Sequence, residues 1–317
     1  MNQLTKACNA LKQANNIVII SHIRPDGDTL GSAFALLFTL EKMGKTARVE
    51  CADPFPKKYE VIFGGYQPKE FDAQFVVTVD VASLTLLGDL ADVYGDRIDL
   101  CIDHHISNNI PAKQHLIDTT APAATQVIAD VVEGLGIAPD QYIANAIFTG
   151  LATDTGCFKY DNVTPKTHRC AADMIEAGAQ HGKINKIMFD TISRGRIEVE
   201  KQIISTLEYH YNGEIALVVI PDGLTKKHHV SDEELDGISA FPRKIEGVRA
   251  GITMREKGDG KYRISVRSGD GVNASAICGA LGGGGHKNAA GCTIEGTLEL
   301  AKEAILREVG KELQRHD

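Results

Sequence analysis

The stretch "IVIISHIRPDGDTLGS", residues 17–32, joins a short β-branched apolar run to a loop in which His22, Asp26 and Asp28 fall within seven positions. An apolar run of this length bounded by turn residues reads as a buried strand. The pattern over 29–43, stopped by Gly44, reads as a helix. Strand, loop and helix make half of a βαβ unit, and the same alternation recurs along the first half of the chain. Strands are expected over 16–21, 45–51, 75–80, 98–103 and 113–118, with another helix over 83–94 stopped by Gly95. Three more helices follow in "APAATQVIADVVEGLG", "PDQYIANAIFTGLATD" and "PKTHRCAADMIEAGA", the last two opened by proline. This predicts an α/β domain, a Rossmann-like parallel sheet with helices on both faces, over residues 1–190.

A chain of 317 residues fits two domains. Residues 191–212 read as a helical connector, after which the pattern restarts. A strand over 214–220, a helix over "SDEELDGISAFPRKI" (231–245) and a hairpin "VRAGITMREKGDGKYRISVRS" (248–268) are expected, the "GDG" supplying the turn. The helix "VNASAICGAL", the run "GGGG" and a last helix from about Thr297 complete a smaller α+β domain, residues 213–317.

Composition narrows the function classes. No apolar run approaches the ~20 residues of a membrane-spanning helix. The N-terminus reads as an amphipathic helix with Leu4, Ala7, Cys8 and Leu11 inward and not as a leader, so a cytoplasmic location with no membrane partner is expected. Seven cysteines form no C-x-x-C pair, and most sit among apolar neighbours as structural thiols. The net charge is −8, about −7 of it before residue 213. A long basic groove for duplex or single-stranded nucleic acid is therefore excluded, because such binding rests on many phosphate contacts. Cations suit this N-terminal half better.

Three expected strands end in metal-grade side chains: His22, Asp26 and Asp28 after the first, Asp80 after the third, and Asp103, His104 and His105 after the fourth. In open α/β sheets, ligands bind in the crevice outside the carboxyl ends of the strands. Carboxylates gathered there would repel one another and raise their own pKa values, which calls for a cation. His22, Asp26, Asp28, Asp80, His104 and the later Asp154 of "GLATDTG" exceed the needs of one ion, so two ions sharing a carboxylate fit better. Oxygen-rich ligation with some imidazole favours Mn2+ or Mg2+, with Co2+ possible. Paired ions are the standard arrangement for hydrolysing phosphate esters.

In order, "SHIRPDGD", "VVTVD", "DHH" and "GLATDTG" resemble the four motifs of the DHH phosphoesterase superfamily, and residues 263–291 resemble the signature of its DHH-associated C-terminal domain. Within it the layout is similar to the oligoribonuclease (nanoRNase) and pAp phosphatase group. The resemblance implies that His22, Asp26 and Asp80 hold one manganese ion, and that Asp28, Asp80, His104 and Asp154 hold the other. It makes Asp103 a residue that orients its neighbours and His105 a group facing the substrate phosphate. In the second domain, Gly283, Gly284 and Gly285 before His286 allow close backbone approach to a ligand, and with Arg267 and Ser268 they read as a phosphate or nucleotide pocket. The resemblance assigns Arg267 and Ser268 to the far 5′-phosphate and His286 to the scissile one. The implied substrates are short 5′-phosphorylated RNA and pAp, with a homodimer possible. The alternatives are a linear or cyclic dinucleotide phosphodiesterase (pApA, cyclic-di-AMP) and a non-catalytic nucleotide sensor. Other histidines read as bland: "KKHH" (226–229) as a solvated turn, His168 and His181 as surface residues without partners.

Overall fold

The computed structural model describes residues 2–230, 237–269 and 271–314, the Ser239 side chain excepted, in two compact units that divide between Thr191 and Ile192. In the first unit five parallel strands, β1 (Ile17–Ile20), β2 (Ala47–Glu50), β3 (Phe75–Val79), β4 (Leu100–Asp103) and β5 (Gln114–Ile117), lie in the order β2-β1-β3-β4-β5. The helices are α1 (Gln3–Gln13), α2 (Gly27–Lys42), two short pieces α3 (Glu60–Phe63) and α4 (Leu90–Tyr94), then α5 (Ala124–Leu135), α6 (Gln141–Asp154), α7 (Pro165–Glu176) and α8 (His181–Phe189).

The residues of β1 explain its place. Ile17 and Ile19 join Leu30, Phe34, Val127 and Ile147 in the core on one face, while Val18 and Ile20 join Val76, Leu87 and Cys101 on the other. A strand buried on both faces needs such an unbroken apolar run. Strand order reverses about β1, with β2 on one side and β3 on the other, so the crevice at this switch point opens beside the loop that follows β1.

Two expectations are corrected here. The helix over 83–94 is instead a 3-10 turn, Leu84–Leu87, and the separate α4. Gly88, at φ 57°, turns the chain between them. Helix α8 was not expected, because only Ile184 of its nine residues is buried and its apolar signal is weak.

The second unit has a six-stranded mixed sheet of β6 (Glu208–His210), β7 (Ile215–Ile220), β8 (Ala250–Glu256), β9 (Lys261–Ser268), β10 (Gly284–His286) and β11 (Ala289–Glu295), in the order β10-β11-β9-β8-β7-β6. Only β7 and β8 run parallel. Its helices are α9 (Arg194–Ser205), α10 (Leu224–Lys227), α11 (Ala274–Gly279) and α12 (Leu298–Leu313). Helices α11 and α12 cover one face of the sheet through Ile277, Ile305 and Val309, and α9 covers the other through Val199 and Ile203 against Val218 and Ile220. Within residues 192–212, β6 pairs with β7 and α9 buries an apolar face on the same sheet. Of the helix expected over 231–245, residues 231–236 lie outside the described residues, and the rest forms two 3-10 turns. No helix among the described residues is long and apolar enough to cross a membrane.

Candidate metal centre

The loop after β1 carries His22 and then Asp26, whose Oδ1 accepts the backbone N–H groups of Asp28 and Thr29 and so caps α2. Two residues on, Asp28 is fully buried. Its Oδ2 accepts the N–H of Ala124 at 2.6 Å, and its Oδ1 accepts the N–H and hydroxyl of Thr125 at 2.9 and 2.7 Å. The first turn of α5 therefore fixes this carboxylate, with the positive end of the helix facing it. Gly150 on α6 makes room: a Cβ there would stand 2.7 Å from Asp28 Oδ1. Asp154 ends the same helix.

Asp80 follows β3 with φ 56°, a left-handed conformation that Asp adopts more readily than most residues. Its two oxygens face different imidazoles. Oδ2 lies 3.6 Å from His22 Nε2, and Oδ1 lies 3.6 Å from His104 Nε2 and 3.5 Å from His105 Nδ1. Around the first imidazole, Asp26 Oδ1 is 3.7 Å from His22 Nε2. Around the second, Asp154 Oδ2 and Asp28 Oδ2 are 3.7 and 3.9 Å from His104 Nε2. Each imidazole is aimed by its other nitrogen, His22 Nδ1 donating to the carbonyl of Ile23 at 2.8 Å and His104 Nδ1 to that of Ala121 at 3.1 Å. This is the outer-shell pattern that leaves Nε2 free to ligate.

Two observations test the fit of cations here. Asp80 Oδ1 and His104 Nε2 are buried without a hydrogen-bond partner. Their 3.6 Å separation is too long for a hydrogen bond but suits two donors each ~2.0–2.2 Å from a shared ion. The electrostatics agree. Burial and the Asp28 carboxylate push Asp80 well above the usual carboxylate range. Burial, Asp28 and Asp26 push Asp154 up to about 9. Burial lowers the His22 pKa, but hydrogen bonds and charge from Asp26 and Asp80 outweigh it and raise it to about 11. A cluster that holds protons this tightly is charge-frustrated, and divalent cations are the natural replacement. Among the described residues, the side chains that could each hold an ion include His22, Asp26 and Asp80 as one group, and Asp28, His104 and Asp154 as another.

Asp103 has little capacity left for an ion. It is fully buried, accepts His105 Nδ1 at 2.9 Å and the backbone N–H of His104 at 2.7 Å on Oδ1, and accepts Asn108 Nδ2 at 2.5 Å on Oδ2. Burial works against its charge, but the hydrogen bonds from His105 and Asn108 prevail and hold its pKa below the usual range. The Asp103 hydrogen bond raises the His105 pKa and leaves Nε2 as the ring's other donor. Asn108, Ala124, Thr125 and the Ala121 carbonyl were not found by sequence reading. Asn108 was recoverable as a polar residue just past "DHH", whereas the others act largely through backbone groups.

In the second unit, Arg267, Ala289 and His286 stand opposite one another across β9, β11 and β10. Paired residues share a sheet face, so Arg267 and His286 lie on one face, about 10 Å apart at ~4.8 Å per strand. His286 and Gly283–Gly285 are exposed. The glycines are not simply a loop, since Gly284 and Gly285 belong to β10. A Cβ at Gly283 would overlap the Gly291 carbonyl, and one at Gly285, φ 144°, would stand 2.6 Å from Ala290 Cα. Close pairing with β11 demands glycine at both positions. Ser268 is 7% exposed and its hydroxyl is directed to the carbonyls of Val272 and Lys287. His168 and His181 are exposed, as expected, but they are not without partners: His168 stacks on Phe158, and His181 packs edge-on to Phe148.

A family model described as the DHH family N-terminal domain matches residues 16–153, and one described as the DHHA1 domain matches residues 212–315. A bifunctional oligoribonuclease and PAP phosphatase NrnA of Thermus thermophilus is 32% identical, over 94% of this chain and 90% of that protein. A probable protein of the same description from Streptococcus mutans is 26% identical, over 89% and 90%. Among solved structures, an exopolyphosphatase-related protein from Bacteroides fragilis superposes with a TM-score of 0.85 at 21% identity, covering 98% of this chain and 96% of the other. RecJ of Thermus thermophilus, solved with Mn2+, gives 0.55 at 16% identity, covering all of this chain and 55% of RecJ.

Proposed function

The chain belongs to the DHH family, and from that premise we propose that it is a manganese-dependent phosphoesterase that cleaves short 5′-phosphorylated oligoribonucleotides to mononucleotides and removes the 3′-phosphate of pAp. The observation that carries this reading is Asp80, whose two oxygens each stand 3.6 Å from a different imidazole while the fold leaves Oδ1 unpartnered. A carboxylate so divided suits two ions and has little use in a protein that only binds nucleotides.

His22, Asp26 and Asp80 would hold one ion, and Asp28, Asp80, His104 and Asp154 the other. When bound, such a pair neutralises charge on the phosphoryl oxygens and makes a water more acidic. Asp103 keeps His105 protonated at Nδ1, so that Nε2 is presented to a phosphate oxygen. Arg267 is assigned to the 5′-phosphate, as is Ser268 once its hydroxyl turns away from the Val272 and Lys287 carbonyls, with Gly283, Gly284 and Gly285 allowing close backbone approach and His286 contacting the phosphate under attack. Holding a nucleotide by its 5′-phosphate makes the group on its 3′-oxygen the one removed. That group is the next nucleotide in RNA and a phosphate in pAp, so one arrangement serves both substrates. Two relatives described as acting on oligoribonucleotides and PAP support this choice.

The test is hydrolysis of a 5′-phosphorylated RNA dinucleotide, pAp, cyclic-di-AMP and pyrophosphate in parallel, with Mn2+ or Mg2+ and with Asp80→Asn as control. Turnover of the dinucleotide and pAp, lost in the variant, is expected. Turnover confined to cyclic-di-AMP or pyrophosphate would overturn the substrate assignment and leave the two-ion reading standing.

A further inference from the structure

At the carboxyl end of β2 the first unit contains a cavity of about 530 Å³, within the ~300–1,000 Å³ of small-molecule sites. Its walls include Phe55, Phe63 and Tyr66, three half-buried rings. Their centroids stand 5.5, 5.7 and 5.0 Å from the fully buried ring of Phe34. The core thus braces these rings from behind, and the Tyr66 hydroxyl is pinned by the Val49 N–H at 2.7 Å. Rigid aromatic surfaces of this kind bind flat heterocycles at little entropic cost.

The polar lining selects the ligand. Glu50, Asp53 and Glu70 outnumber the one cation, Arg48. Arg48 is already engaged: Nε donates to Glu50 at 2.6 Å, Nη1 to the Phe71 carbonyl at 2.6 Å and Nη2 to the Tyr94 hydroxyl at 3.4 Å. Such a lining repels phosphate and suits an uncharged ring bearing N–H donors, since carboxylates accept from the exocyclic amino and ring N–H groups of bases. The wall is also tied to the loop that bears His22 and Asp26. Cys51 Sγ donates to the His22 carbonyl at 3.2 Å, and the Arg24 N–H donates to Asp53 Oδ2 at 2.7 Å.

We propose that this cavity binds the base of the nucleotide that carries the phosphate under attack, an assignment that rests on the oligoribonuclease reading above. It follows that the site serves RNA but not pAp, which has no second base to place there. The cavity is a selectivity element within the bifunctional activity.

The experiment compares steady-state hydrolysis of the dinucleotide pApG with that of pAp, in the full chain and in two variants. Phe55→Ala removes a stacking face. Asp53→Asn removes a carboxylate while keeping an acceptor for Arg24, and it guards against the lost packing that Phe55→Ala brings around Phe34. In each variant KM for pApG is expected to rise about tenfold, with KM and kcat for pAp unchanged within about twofold. A pApG analogue abasic at its second position is expected to bind the wild-type chain about tenfold more weakly than pApG. If Asp53→Asn alters both substrates alike or neither, or if the abasic analogue matches pApG, the assignment is overturned. Turnover of neither substrate by the wild-type chain would instead overturn the oligoribonuclease reading, and this assignment with it.

Discussion

Asp80→Asn is expected to reverse the sign of its effect with metal. In chelated protein the wild-type cluster holds Asp80, Asp28 and Asp26 against one another, and burial first, then repulsion from Asp28 and Asp26, raises the Asp80 pKa. Asparagine keeps the left-handed backbone and removes one carboxylate, so the variant should melt at the same temperature as the wild type or above it. With metal the order inverts. An ion present at 100 times its dissociation constant adds about 2.7 kcal/mol, and two add about 5 kcal/mol. At ~2–4 °C per kcal/mol for a unit of this size, the wild-type transition should rise by roughly 10–20 °C. The variant lacks the shared ligand and should gain only a small fraction of this. Turnover should fall by about 10²–10⁴, the equivalent of the several kcal/mol that cations supply to a phosphoryl transition state. Thermal melts in EDTA and in Mn2+, with metal counted per chain, measure all of this. A variant that binds two ions and gains the full upshift would refute the bridge.

Arg267→Ala should raise KM for 5′-phosphorylated substrates roughly 10–100-fold through lost charged hydrogen bonds of about 1.5–3 kcal/mol. An unchanged KM would remove Arg267 from the pocket. Gly150→Ala inserts a Cβ that would lie 2.3 Å from Thr125 Cγ2 and 2.7 Å from Asp28 Oδ1, so it should cost about 1–3 kcal/mol of stability and weaken metal binding. A normal melt with normal metal content would show that α2, α5 and α6 do not set the position of Asp28. Asp140 caps α6 by accepting from the Tyr142 and Ile143 N–H groups, and Asp140→Ala should cost about 1 kcal/mol at neutral pH. Burial opposes the Asp140 charge, but the Ile143 N–H and Lys42 prevail and hold its pKa below the ordinary 3.8. Its stabilisation is therefore present above that value and is lost as pH falls through the folded pKa. Urea melts of the two proteins should converge at acid pH, and a constant gap would exclude the charged cap.

The parts of the fold that were legible in the sequence are those written in side-chain chemistry. The apolar run of β1 announces a strand buried on both faces, and Thr297 before an apolar period announces α12, which its side chain caps. Metal-grade residues after three strands announce where the carboxyl edge points. What escaped was decided by backbone and by tertiary contact. Residues 83–94 have a helical pattern, yet Gly88 divides them. The glycine run reads as a phosphate or nucleotide pocket, while two of its members form an edge strand whose partner leaves no room for a Cβ at Gly285. The carbonyls that aim His22 and His104 leave no trace in the sequence, since any residue supplies a carbonyl.

The left-handed turn that ends β3 has an evolutionary consequence. Three residue types, Asp, Asn and Gly, accept such a conformation with little strain. Asp and Asn codons differ by one base. The carboxylate shared between the two halves of the cluster therefore stands where the backbone accepts its loss: on the two-ion reading proposed above, a descendant can surrender hydrolysis in one mutational step while keeping its core and its loops. Receptors that bind what their ancestors cleaved are within immediate reach of this chain, and at position 80 a single letter separates the two kinds of protein.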